Sequence, residues 1–218
     1  MGLVKQFDIE RTWGSHQPLV KAVMRVLKPQ TVVECGCGDF STPHLTEAPN
    51  LFTIEHNQYW GDKMKEKYPN HNWKIRTFNA KNPTRIDELP PGEYKTIYEY
   101  YENLAKQFDH INLLFVDTFT ACRVPAILNL GPKATYIILH DVEPPGPIVY
   151  SLDKLDTFFR RWNKYIHRPL GKIGGNHPIP WTGFFSRAAI PLQDINAEME
   201  AESIRLWDKK TILEVNND

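Results

Sequence analysis

The strongest constraint on this chain is an alternation. Short runs of strand-forming residues at Thr31–Cys35, Leu51–Glu55, Trp73–Phe78, Ile111–Asp117 and Tyr136–Val142 are interleaved with helically spaced segments at Pro18–Leu27, Gln58–Tyr68, Tyr94–Gln107, Arg123–Leu130 and Leu152–Tyr165. Ser41-Thr42-Pro43 reads as the cap and first turn of one more short helix. The runs INLLFVD and YIILHDV are apolar at nearly every position rather than every second one. A strand needs that only when both faces of its sheet are covered. Strands alternating with helices therefore predict a parallel sheet clad with helices on both sides. Right-handed crossovers bring the C-terminal ends of such strands to one edge. Ligands bind along that edge, where the strand order reverses.

The expected architecture is thus α/β and Rossmann-like: a mostly parallel central sheet, helices on both faces, and a late antiparallel strand at Trp181–Ala189. At 218 residues the chain fits one domain, with 1–30 as a helical lead-in, 31–190 as the α/β core and 191–218 as a C-terminal extension. That extension carries an amphipathic stretch within Ala197–Val215 and a strand-like Thr211-Ile212-Leu213, which leaves pairing with a second copy open. Lys+Arg and Asp+Glu both number 26. An even balance argues against a nucleic-acid partner, which calls for surplus cations to release counterions from phosphates. Cys35, Cys37 and Cys122 are too few for a disulfide framework and point to a reducing compartment. The N-terminus lacks an apolar core of signal-peptide length, and no run is long enough to span a bilayer. The expected location is cytoplasmic, with no membrane partner.

The first strand ends in Glu34-Cys35-Gly36-Cys37-Gly38. Its glycines let the chain turn sharply and approach a ligand with bare backbone. Glu55 closes the second strand, where a carboxylate can accept the hydroxyls of a ribose. Together these suit an adenosine-bearing cofactor. A dinucleotide loop wants a third glycine where Ser41 stands, and Glu34 beside the loop would repel a pyrophosphate. It would favour the cationic end of an amino-acid-bearing cofactor instead. The plainer alternative is that Gly36 and Gly38 only terminate a strand and Glu55 is a solvated acid.

These residues resemble the first motif of the class I S-adenosylmethionine-dependent methyltransferases, an acidic residue and then Gly-x-Gly at the end of strand one. The resemblance follows the order of elements from about Gln17 to Arg187. It implies S-adenosylmethionine as cofactor, held by Glu34, Gly36, Gly38, Ser41, Thr42, Glu55 and Asp117, with Asn79-Ala80 near the adenine. Phe40 or Ser41 stands where the family often has a further small residue. Asp117 after strand four and His140-Asp141 after strand five look like the catechol O-methyltransferase branch, which holds magnesium with an Asp and an Asp-Asn pair. Here His140 replaces a carboxylate, and imidazole suits manganese, iron or zinc better than magnesium.

Two chemistries follow for a catalytic set of Asp117, His140 and Asp141. Either the three hold a divalent metal, magnesium, manganese or similar, that acidifies a substrate hydroxyl, or His140 removes the proton itself as general base. Trp13, His16 and Trp181 are candidate walls of a pocket for a small molecule or sugar methylated on oxygen or nitrogen. The basic stretch Arg160, Arg161, Lys164, His167, Arg168 and Lys172, on and after a helix, reads as a solvated helix face, the alternative being a site for an acidic substrate or phosphate. Two other classes compete: an NAD-dependent oxidoreductase, and a binding domain that keeps the fold without chemistry.

Overall fold

The computed structural model describes residues 14–75, 89–143, 152–169, 172–173, 177–207 and 213–215. Helix α1 (Gln17–Leu27) has Pro18 in its first turn, buries Leu19, Val20, Val23 and Met24 on one face, and ends at a left-handed Lys28. Then come β1 (Thr31–Cys35), the one-turn α2 (Thr42–Leu45), β2 (Asn50–Glu55), α3 (Gln58–Lys67), β3 (Asn72–Ile75), α4 (Pro91–Ala105), β4 (Ile111–Val116), α5 (Thr120–Leu130) and β5 (Ala134–His140). The second half adds the one-turn α6 (Asp156–Phe159), β6 (Asn163–His167), the two-residue pair β7 (Lys172–Ile173) and β8 (His177–Pro178), β9 (Thr182–Ser186), α7 (Leu192–Trp207) and β10 (Leu213–Val215).

The main sheet has the order β10-β6-β9-β5-β4-β1-β2-β3. Strands β3, β2, β1, β4 and β5 are parallel. The ladders β5–β9, β9–β6 and β6–β10 are antiparallel. The Rossmann-like arrangement and its late antiparallel strand are as the alternation predicts. The order reverses between β1 and β4, which opens a crevice at their C-terminal ends.

Alternate residues of the central strands serve two cores. Val33, Leu114, Val116 and Ile137 pack with Ile97 and Tyr101 of α4 and Ile127 of α5. Val32, Leu113, Phe115 and Ile138 pack with Leu19 and Val23 of α1 and with Ile195 and Met199 of α7. Burial on both faces is what makes these strands read as unbroken apolar runs.

Two segments depart from expectation. The helical spacing of Leu152–Tyr165 is realised only by a 3-10 turn at Leu152–Leu155 and by α6. Asn163–His167 is a strand because it pairs along its whole length with β9, from Asn163 opposite Ser186 to His167 opposite Thr182. A full ladder outweighs local periodicity, and Tyr165 and Ile166 suit a strand. The basic residues at Lys164 and His167 therefore lie on a strand, not a helix face. The C-terminal extension spends its apolar face within its own chain. Helix α7 lies on α1 with Ile195 and Met199 fully buried, and Lys21 Nζ donates to Glu202 Oε1 at 2.6 Å across the seam. Strand β10 completes one sheet edge. Among the described residues no helix is long and apolar enough to cross a membrane.

Because Met199 sits in a core shared with α1, Met199→Ala should cost about 2–5 kcal/mol. Urea unfolding measures this, and an unchanged midpoint would show that α7 contributes nothing to the fold.

Candidate active site

The crevice starts where the sheet ladder runs one residue too far. The Asp117 N–H donates to the Cys35 carbonyl at 2.9 Å, and the Gly36 N–H donates to the Ile54 carbonyl at 2.8 Å. Gly36 then turns with φ +92°, and a Cβ there would stand 2.0 Å from the Asp117 carbonyl oxygen. Only glycine fits such a contact in that conformation. Gly38 differs: an added Cβ would meet no protein atom within 4 Å, so the space beside it is open.

Glu34 builds this loop from below. Its Oε1 accepts from Ser41 Oγ at 2.8 Å and Thr42 Oγ1 at 2.9 Å, and its Oε2 accepts from Thr53 Oγ1 at 2.9 Å. Thr42 Oγ1 in turn accepts the Gly38 N–H at 3.0 Å. Glu34 is fully buried, and the loss of solvent raises its pKa to about 7 despite the three hydroxyls. Neither Glu34 nor Thr42 lines the cavity, although both were expected at a cofactor. The reason is geometric. Glu34 lies inside β1 and points to a sheet face, and Thr42 turns its hydroxyl to Glu34 and to the Gly38 N–H. Ser41 does line the cavity.

Glu55 closes β2 and takes part in the wall. Its Oε1 accepts the His56 and Asn57 N–H groups at 2.7 Å each, and its Oε2 accepts the Cys37 N–H at 2.7 Å. Next to it, His56 hydrogen-bonds Thr118 Oγ1 through Nδ1 at 2.7 Å and Tyr101 Oη through Nε2 at 3.0 Å. Burial lowers the His56 pKa to about 3, so this imidazole is a neutral strut under Thr118. Cys37 is a wall residue whose thiol burial holds protonated.

The other half of the crevice is organised by Arg123, a buried residue of α5. Its Nε donates to the Thr118 carbonyl at 2.9 Å and its Nη1 to the His140 carbonyl at 2.6 Å. Its Nη2 is shared between Asp117 Oδ1 at 3.1 Å and Asp141 Oδ2 at 2.7 Å. These bonds hold Asp141 at φ +60°, a left-handed conformation that aspartate tolerates when its surroundings enforce it. His140 bonds Asp117 Oδ2 through Nδ1 at 3.1 Å and Ser15 Oγ through Nε2 at 2.7 Å. Burial opposes its charge, but the Asp141 and Asp117 carboxylates prevail and raise its pKa to about 9. Burial works against the charged form of Asp117 too, and there His140 and Arg123 win and hold its pKa well below the usual carboxylate range. At neutral pH His140 therefore donates both protons, which disfavours its expected role as general base. His16 packs edge-on against it, ring centroids 4.5 Å apart. Burial, then the His140 charge, lower the His16 pKa to about 3, so it is neutral.

These groups surround a cavity of about 420 Å³. Of the expected residues, His16, Gly36, Gly38, Ser41, Glu55, Asp117, His140 and Asp141 meet on its wall. Trp181 is not on that wall. Its N–H is taken by Glu143 Oε2 at 2.8 Å, its ring lies under the Arg168 guanidinium, and Pro180 lines the cavity in its place. Trp13, Asn79 and Ala80 lie outside the described residues. The expected metal trio does not converge as proposed. The groups whose ligand atoms lie within 4.8 Å of one another are His16, Asp117 and His140, while Asp141 turns one oxygen to Arg123. Sequence reasoning missed Asp39, Phe40, Trp60, Thr118 and Phe119 on the wall, and Arg123 behind it. Arg123 had a signal: a lone charge inside the apolar run ACRVPAIL implies a buried, paired cation.

By sequence, no protein-family model and no curated protein matches this chain. Solved structures do match by shape. The N-methyltransferase NodS from Bradyrhizobium japonicum WM9 is 10% identical with a TM-score of 0.52 over 85% of this chain and 99% of that one. Its complex with S-adenosyl-L-homocysteine is 11% identical with a TM-score of 0.50 over 86% and 90%. A spermidine synthase in complex with the transition-state analogue AdoDATO is 11% identical with a TM-score of 0.51 over 92% of this chain and 68% of that one. The chain has the class I methyltransferase fold. At such identities the likeness concerns the fold and not the reaction.

The buried Glu34 makes stability depend on pH. A carboxyl whose folded pKa lies above its unfolded one binds its proton more tightly when folded. It therefore destabilises the fold increasingly as pH rises from the unfolded value of 4.5 through the folded value of about 7. Glu34→Gln cannot ionise. Its stability relative to the native chain should rise by on the order of 3 kcal/mol between pH 4 and pH 8, read from urea unfolding at the two pH values. A gap that does not change with pH would contradict this.

Proposed function

We propose that this chain is an S-adenosylmethionine-dependent methyltransferase acting on an oxygen or nitrogen of a small molecule or sugar. One observation carries the cofactor assignment: among the described residues Asp39, Glu55, Asp117 and Asp141 line the cavity, and no Lys or Arg does. Lys63 and Arg123, which pair with three of them, stand outside the lining set, and the one imidazolium on the wall, His140, lies against both Asp117 and Asp141. A pyrophosphate would face carboxylates there, whereas a sulfonium and an ammonium are attracted. This disfavours the NAD reading on grounds independent of the missing third glycine.

The residues present fit that cofactor. Gly36 and Gly38 bring bare backbone to the wall, and the space beside Gly38 is open. Glu55 Oε2 accepts one protein hydrogen bond and keeps a lone pair for a ribose hydroxyl. The volume falls within the roughly 300–1,000 Å³ usual for small-ligand sites. Bound S-adenosylmethionine supplies a methyl group already activated by its positive sulfur. What the chain must add is alignment, which alone can supply much of the rate of a displacement. Thr118 is propped by His56, and Asp117 and Asp141 are clamped by Arg123, so the acceptor end is rigid. Its acidic wall disfavours phosphate-bearing acceptors, which argues for a small molecule or sugar over nucleic acid. A divalent ion at that end would lower the pKa of an acceptor hydroxyl.

Calorimetry tests the cofactor. S-adenosylhomocysteine should bind once per chain and NAD should give no heat. Glu55→Gln should weaken the former at least about tenfold, the equivalent of 1.4 kcal/mol. Binding of NAD, or absence of heat with S-adenosylhomocysteine, would remove the proposal.

A further inference from the structure

We infer that His16, Asp117 and His140 form a divalent-metal site at the acceptor end of the cavity, selective for imidazole-binding ions such as cobalt, manganese, iron or zinc over magnesium and calcium. The inference rests on reading this end of the cavity as the acceptor site, but its test does not require the cofactor.

The first argument is His16. It is 2% exposed, it lines the cavity, and neither ring nitrogen has a hydrogen-bond partner among the described residues. Buried imidazoles normally satisfy at least one nitrogen. His16 is nevertheless held in place by ring contacts with Phe115, at 5.2 Å, and with His140, at 4.5 Å between centroids. It is an ordered lone pair with nothing to bind.

The second argument is convergence. His16 Nδ1 lies 3.8 Å and His140 Nδ1 3.1 Å from the same oxygen, Asp117 Oδ2, and one ligand atom from each residue falls within 4.8 Å of the others. Metal–ligand bonds of roughly 2.0–2.2 Å place neighbouring ligand atoms at such separations. The remaining atoms of these groups are already oriented from behind. His140 Nε2 is held by Ser15 Oγ at 2.7 Å, and Asp117 Oδ1 by Arg123 at 3.1 Å. Outer hydrogen bonds of this kind orient metal ligands. Asp141 belongs to that outer set, with Oδ2 on Arg123 and Oδ1 3.4 Å from His140 Nδ1. An ion bound here takes the place of the proton between His140 and Asp117. Three protein ligands leave coordination positions open toward the cavity, as reactive metal sites do. Two imidazoles with one carboxylate suit transition ions rather than the all-oxygen preference of magnesium and calcium.

Cobalt(II) is the probe. The full chain, stripped with EDTA and desalted, is titrated with cobalt while visible absorption is followed. One equivalent should bind with new d–d bands, and zinc should displace it where a large excess of magnesium does not. His16→Ala, which removes a ligand, should weaken cobalt binding by more than about a hundredfold, and Asp141→Asn, which disturbs an outer hydrogen bond, by about 10–100-fold. Thermal melting and S-adenosylhomocysteine calorimetry on the same variants check that each is folded. Absence of a cobalt signal, displacement by magnesium as readily as by zinc, or unchanged affinity in His16→Ala overturns the site. If S-adenosylhomocysteine binds and cobalt does not, the metal inference alone falls. If cobalt binds and S-adenosylhomocysteine does not, the cofactor reading falls and the metal site stands.

Discussion

Asp117 is the residue on which the site hangs. Its N–H extends the β1–β4 ladder onto the Cys35 carbonyl, and its own carbonyl packs so close to Gly36 that no side chain fits between. Its carboxylate reaches Arg123 with one oxygen and His140 with the other. One residue thus fixes the Gly36 loop by its backbone and the polar cluster around Arg123 and His140 by its side chain, at the point where the strand order reverses between β1 and β4.

Burying so many charged groups in one place is costly unless each is paired. The cluster meets that condition through Arg123, whose guanidinium satisfies two carboxylates and two carbonyls from β4, β5 and the loops after them. A planar fork of fixed donors does what a lysine point charge does not. Such a cluster is a poor source of stability, since well-packed apolar groups often do as well or better. What it secures is position: it sets Asp141 in a left-handed turn and draws the ends of β4 and β5 together. That is a cost a protein bears for the precision of a site rather than for its fold.

The sequence made the scaffold legible because two-faced burial leaves unbroken apolar runs, and the strand ends could be counted from them. Gly36 and Glu55 reach the cavity wall because they stand at the C-terminal ends of β1 and β2. Glu34 does not, because strand position, which a motif does not convey, sends it under the loop toward Ser41, Thr42 and Thr53. Asn163–Tyr165 was read as the end of a helix because its partner β9 lies about twenty residues away and local spacing is blind to it. His16 was legible only as a candidate pocket wall, because its contacts are with residues about a hundred positions and more further along. Non-local contact is the common cause of what could not be read.

The two halves of the cavity differ in what determines them. The half beside Gly36 is mostly backbone and one strand-end acid, Glu55. The other half is built from side chains of four separate segments: Ser15-His16, Asp117-Thr118, Arg123 and His140-Asp141. Proteins can share the first half and differ in the second. NodS and the spermidine synthase share this fold and bear names for different reactions. A shared fold therefore leaves the chemistry to the side chains that a given chain places in the second half. In this chain they are a neutral imidazole beside a charged one, with a carboxylate between them and an arginine locking it from behind.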